Sequence, residues 1–192
     1  MSAWLVIAAV ALAGASGLPG LFLPRAGRAG ERLAAWFTSC AALCACAGAF
    51  GVLLLGWSGE LVAGWPVPGG RLSIRVDALS ALFVIPISLL AALAAWYGLE
   101  YWPQRAHRED GRQLRAFHGA VTAGMLLLVT AGNAVLFLVG WEVMALAAFL
   151  LVSTEDEKPS VREAGYLYLV TTRLGTLSLN SWRMLPFTEY SA

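Results

Sequence analysis

Charge is scarce in this chain. Charged residues occupy 13% of its 192 positions, about half the share of an ordinary soluble domain. The net charge is +1, and no basic stripe with interleaved aromatics offers a surface for nucleic acid. Only two histidines are present. No glycine-rich nucleotide fingerprint and no Ser/His/Asp arrangement is readable, so the usual soluble-enzyme chemistries have no residues to carry them. Cysteine is confined to Cys40, Cys44 and Cys46 in one apolar segment. Their spacing lacks paired C-x-x-C arms or nearby histidines, which argues against zinc or iron–sulfur ligation and for small apolar helix residues. No catalytic, cofactor-binding or metal-ligating set is expected.

Hydrophobicity fills the space that charge leaves. Apolar residues make up 59% of the chain and the mean hydropathy is +0.69, the signature of an all-α integral membrane protein. About six transmembrane helices are expected, near 3–23, 33–55, 78–97, 116–130, 133–152 and 164–179, forming one multi-pass domain over 1–179. Residues 180–192 read as an irregular polar tail, of the kind a truncation or frameshift leaves. The first segment is closed by Pro24 and the basic residues Arg25, Arg28 and Arg32; since these follow the apolar run, it is not a signal peptide. A Gly/Pro/Trp loop over 56–77 places Trp57 and Trp65 suitably for a membrane interface.

Pro86 is expected to kink the third helix, with Ser88 placed to satisfy freed backbone groups. The fourth helix is short and borrows Leu114 and Arg115, the arginine snorkelling toward water. Ala131-Gly132-Asn133 forms a tight turn into the fifth helix, which Pro159 is expected to close. With the N-terminus outside, nine Lys/Arg fall in inner loops and three in outer segments, with Arg173 inside the sixth helix. That asymmetry favours an N-out topology in the cytoplasmic membrane. The acidic loop Glu155-Asp156-Glu157 then lies on the inner side as a solvated connection or a docking point for a partner.

One residue breaks the apolar pattern at its centre. Glu142 is the sole ionisable group in the 20-residue run Asn133 to Val152, long enough for one helix to cross a bilayer. A charge at that depth costs about 2.5–3.5 kcal/mol and commonly marks an ion or proton pathway. A neutral, tolerated carboxyl or one hydrogen-bonded for packing is the alternative. Arg173 lies at a matching depth in the next helix, so the two charges can offset each other's desolvation; a shifted last helix with Arg173 near water is the competing placement. Gly140, Ala145, Ala147 and Ala148 allow close helix approach. His118 has a side chain suited to proton exchange, and equally to a packing hydrogen bond. Thr122, Thr130 and Asn133 add polar contacts.

The stretch GNAVLFLVGWEVMALAAFLLVSTEDEKPSVREAGYLYLVTTRLGT, from Gly132 to Thr176, resembles the fifth and sixth helices of the proton-conducting antiporter-like membrane subunits. These occur in respiratory complex I, membrane-bound hydrogenases and multisubunit cation/proton antiporters. Gly140-Trp141-Glu142, the loop from Ser153 to Lys158, Tyr168-Leu169-Val170 and Leu174-Gly175-Thr176 carry the resemblance, with Asp77-Ala78-Leu79-Ser80 at the start of helix three. Within the family the chain is most similar to component B of hydrogenase-4 and its formate hydrogenlyase equivalent.

The resemblance implies the N-terminal part of an antiporter-like bundle and a proton-translocating role in a redox complex. It implies other membrane and peripheral subunits as partners, with the redox cofactors residing there and none in this chain. It also implies that Glu142 matches a helix-five glutamate that pairs with a lysine on a later, broken helix. This chain departs from the pattern, since its single lysine is Lys158 in a loop. The proton-pathway residues are therefore expected to be Glu142, Arg173 and His118. A fragment of a cation/proton antiporter, or a remnant that only packs against partner helices, is the alternative.

Overall fold

A computed structural model describes residues 1–19, 28–57, 59–64, 71–103, 110–155 and 157–184. Pro24, Arg25, Trp65, Arg105, Arg108, Asp156 and the tail from residue 185 lie outside the described residues. The helices are α1 (Ser2–Ala15), α2 (Ala29–Leu55), α3 (Ala78–Tyr101), α4 (Asp110–Val129), α5 (Ala134–Val152) and α6 (Pro159–Met184). A short antiparallel hairpin of β1 (Gly59–Gly64) and β2 (Arg71–Val76) joins α2 to α3. The architecture is that of an all-α membrane protein with one small sheet at an end. Helix α1 packs on α2 and α4, α3 packs on α2 and α4, α4 on α5, and α6 chiefly on α5.

Local chemistry sets the helix ends. Asp77 Oδ1 accepts the Ser80 amide at 2.8 Å to start α3, and Asn133 Oδ1 accepts the Leu136 amide at 2.8 Å to start α5. Each satisfies an amide that the helix's first turn leaves unpaired. Gly56 closes α2 with φ at +66°, a left-handed backbone that glycine adopts without steric cost.

Several sequence expectations shift. The 56–77 loop contains the hairpin: GELVAG alternates in burial as a half-covered strand does, while RLSIRV buries Ser73, Ile74 and Val76. The outer edge of β2 is paired too: Arg75 N–H donates to Thr130 O at 2.9 Å and Gly132 N–H to Ser73 O at 2.7 Å. The turn between α4 and α5 thus acts as a short third strand against the hairpin. Pro159 opens α6 rather than closing α5, a position where its missing N–H costs nothing. Helix α5 already ends at Val152 and passes into a 3₁₀ turn at Ser153–Glu155. Helix α6 runs to Met184, five residues past Leu179. Ser88 donates to Val84 O at 2.7 Å; the carbonyl that Pro86 leaves without its usual amide donor is that of Leu82, so Ser88 does not replace the lost bond.

Helices α2, α3 and α5 (with its 3₁₀ extension to Glu155) are long and apolar enough to span a bilayer. Helix α1 is apolar but has 14 residues, about 21 Å of rise against a hydrocarbon layer of about 30 Å. Helices α4 and α6 are long enough but carry internal charge. The segments pack through small residues. Ala3, Val6, Ala9 and Ala13 of α1 are buried with Ala41, Ala45 and Ala49 of α2 in the same core. A Cβ on Gly124 of α4 would stand 2.8 Å from the Met144 amide of α5, and one on Gly140 would stand 3.0 Å from the Leu128 amide. Gly140 therefore seats α5 against α4, on a different side from the helix that Glu142 meets.

Candidate functional site

Glu142 lies in the middle of α5, about 12 Å along the axis from Ala134 and about 15 Å from Val152. Arg173 lies in the middle of α6, and its Nη1 donates to Glu142 Oε2 in a short ion pair. The matched depth read from the sequence corresponds to a direct contact. Helix α6 begins earlier than expected, yet the compact connection at 153–158 still brings Arg173 level with Glu142. The second carboxylate oxygen, Oε1, is buried and accepts no hydrogen bond among the described residues. The pair occupies a tight recess between α5 and α6, walled by Ala145, Leu146, Leu169, Thr172 and Thr176. One turn away, Trp141 Nε1 donates to Thr176 Oγ1 at 3.2 Å, a second polar tie between the two helices.

The Glu142 side chain is 29% exposed and that of Arg173 47% exposed, so one flank of the pair opens away from the bundle. Helix α6 also leaves Tyr166, Leu167, Leu174 and Leu177 more than half exposed. An ion pair on a helix with such exposed apolar residues suits a surface covered by lipid or by other helices.

His118 is held elsewhere. It sits on α4, with Nε2 bonded to Ala91 O on α3 at 3.1 Å. It lines a cavity of about 170 Å³ that shares no residue with the Glu142–Arg173 recess. Two of the three expected residues are therefore brought together and the third is apart. Thr122 and Thr130 spend their hydroxyls within α4, on His118 O at 2.9 Å and Leu126 O at 2.7 Å. Asn133, besides capping α5, donates to Arg71 O of the hairpin.

Two charged residues line the His118 cavity: Glu31, which the sequence does not single out, and Arg115, which is placed differently from its expected position. Arg115 does not snorkel. Its side chain is 11% exposed and its Nη2 lies 3.4 Å from Glu31 Oε1, whose side chain is 1% exposed. Arg115 also donates to Gly111 O and to Trp102 O. The paired carboxylate offsets part of the cost of burying the guanidinium. The hydrophobic pattern starts this segment at Leu33, which leaves Glu31 outside it, whereas α2 begins at Ala29 and takes Glu31 into its first turn. The available signal was an acid between Arg28 and Arg32 directly before the apolar run.

Cys40, Cys44 and Cys46 are free thiols along α2. Among the described residues no group of three or more His, Cys, Asp or Glu side chains is placed to hold a metal ion.

Comparison with known proteins gives a consistent set of relatives. An uncharacterized protein of Mycobacterium tuberculosis is 36% identical over 132 residues, 67% of this chain and 20% of that protein. NADH-quinone oxidoreductase subunit L of the same organism is 35% identical over 188 residues, 88% of this chain and 29% of that subunit. Hydrogenase-4 component B of Escherichia coli is 34% identical over 113 residues, 58% of this chain and 16% of that component. The chain thus spans less than a third of the length of these relatives. No family model matches.

Proposed function

The chain belongs to the antiporter-like membrane-subunit family of complex I and the hydrogenases, and from that premise we propose that it forms part of a proton-translocating membrane subunit of a redox complex. Glu142 is the proton-exchanging group. Arg173 is its counter-charge, holding the carboxylate ionised until a proton arrives at the uncommitted Oε1. Protonation cancels the negative charge, weakens the hold on Arg173 and frees the guanidinium to move; loss of the proton restores the pair. His118 belongs to a separate polar region on the approach to the bundle. The observation that carries this reading is the mid-helix Glu142–Arg173 ion pair with one carboxylate oxygen unpaired.

The partners are the other membrane and peripheral subunits of such a complex, which hold its redox cofactors. The setting is the cytoplasmic membrane with the N-terminus outside, supported by the basic residues gathered at one end of the helices. The redox-complex branch is preferred to a cation/proton antiporter because named relatives are a quinone oxidoreductase subunit and a hydrogenase component.

The test is proton translocation per electron pair in vesicles carrying the assembled complex. Glu142→Gln is expected to lower it by about tenfold or more, the scale of removing a positioned acid–base group. Unchanged translocation overturns the proposal.

A further inference from the structure

Glu31 stands between two spaces. On one side is the cavity of about 170 Å³, whose polar lining is Ser16, Thr38, Arg115 and His118 beside Glu31 itself. On the other is a recess of about 200 Å³ lined by Arg28, Arg32 and Glu100, where Arg28 Nη2 meets Glu100 Oε1 at 3.3 Å on the surface. Glu31 lines both. The inner cavity has the volume for several water molecules and enough polar partners to hold them. The outer recess also takes in Trp96 and Leu99, and its Arg28 and Glu100 side chains are exposed.

We propose that Glu31 is a second proton-exchange site, passing protons between the outer charged recess and the inner cavity. The inference rests on the proton-translocating reading given above. The carboxylate takes a proton from water in the outer recess, becomes neutral and loosens its hold on Arg115. It then returns the proton to water in the inner cavity and regains its charge and its partner. His118 is the next acceptor. Its Nε2 faces the Ala91 carbonyl and so must carry the hydrogen of that bond, leaving Nδ1 as the ring nitrogen able to take a proton.

The charged and titratable groups lining the two spaces with Glu31 are Arg28 and Arg32 on α2, Glu100 on α3, and Arg115 and His118 on α4. Ser16 after α1 and Leu151 of α5 contribute none. A metal cation is disfavoured as the travelling species, because the guanidinium of Arg115 already occupies the position beside the carboxylate that such an ion needs. A purely structural salt bridge joining α2 to α4 is the competing account, and exchange with solvent separates the two.

The experiment is infrared difference spectroscopy of the full chain in lipid nanodiscs, on acidification and on transfer from H₂O to D₂O. A protonated-carboxyl band that appears on acidification, shifts promptly in D₂O, disappears in Glu31→Gln and persists in Glu142→Gln is the expected result. A carboxyl spectrum unchanged by Glu31→Gln overturns the proposal, as does a Glu31 band that does not shift in D₂O. Should Glu31→Gln fail to fold, Glu31→Asp keeps the charge and must displace the exchanging band; no displacement counts equally against it. Failure of the Glu142 reading is seen in translocation, not in this band, so the two failures are distinguishable.

Discussion

Replacing Arg173 by leucine isolates the energetic claim on which the Glu142 site depends. Arg173 is about 21 Å along α6 from Pro159 and about 17 Å from Met184, so both members of the pair are far from their helix ends. Removing the guanidinium leaves the Glu142 carboxylate at that depth with no partner among the described residues. An uncompensated charge in the hydrocarbon layer costs about 2.5–3.5 kcal/mol. The same pair in water is worth about 0–1 kcal/mol. These ranges do not overlap, so the measurement decides where the pair sits. Arg173→Leu is expected to destabilise the chain by about 2.5–3.5 kcal/mol in denaturant titrations in bicelles. The double variant Glu142→Leu with Arg173→Leu should recover most of that loss, since an apolar replacement of a desolvated pair is close to neutral. A cost below about 1 kcal/mol for the single variant would indicate a water-exposed pair. A double variant less stable than the single would show that the two residues are not coupled. Either result refutes the reasoning.

Two further outcomes test the scaffold around the sites. Gly124→Ala puts a Cβ 2.8 Å from the Met144 amide and 2.9 Å from its Cα. It should cost about 1–3 kcal/mol by forcing α4 from α5, whereas Gly98→Ala, with open space around it, should be neutral or slightly stabilising in the same unfolding assay. Asp77→Ala removes the N-cap of α3 and should cost about 0.5–2 kcal/mol. The Ser80 amide and hydroxyl hold the Asp77 carboxyl below its ordinary value. A depressed carboxylate stabilises the fold above the unfolded-state pKa and loses that contribution as pH falls through the folded one. Amide exchange at the start of α3 should therefore accelerate below about pH 4 in the native chain and show no such step in Asp77→Ala.

The helical membrane class, the rough positions of the apolar segments and the mid-helix place of Glu142 were legible in the sequence, because each follows from hydrophobic length. The hairpin was not singled out, since its strands lie among glycines and prolines and their pairing depends on the edge supplied by Ala131 and Gly132 from a later connection. Pro159 opens α6 rather than closing α5, because proline marks a boundary in the sequence without saying on which side of it the helix lies.

Side-chain partnership is where sequence runs out. The order of residues allowed a carboxylate and a guanidinium at comparable depths near positions 142 and 173, since rise per residue is fixed, but left open a shifted last helix with Arg173 near water. Only the packed bundle showed that they touch, that His118 belongs to a different cavity, and that Glu31 meets Arg115. The latter pair is separated by more than eighty positions in the chain. Whether such residues meet depends on which helix faces which, and that is set by small-residue contacts such as Gly124 on Met144 and Gly17 on Ala116. Burial creates the need for a counter-charge, and tertiary packing decides which residue supplies it.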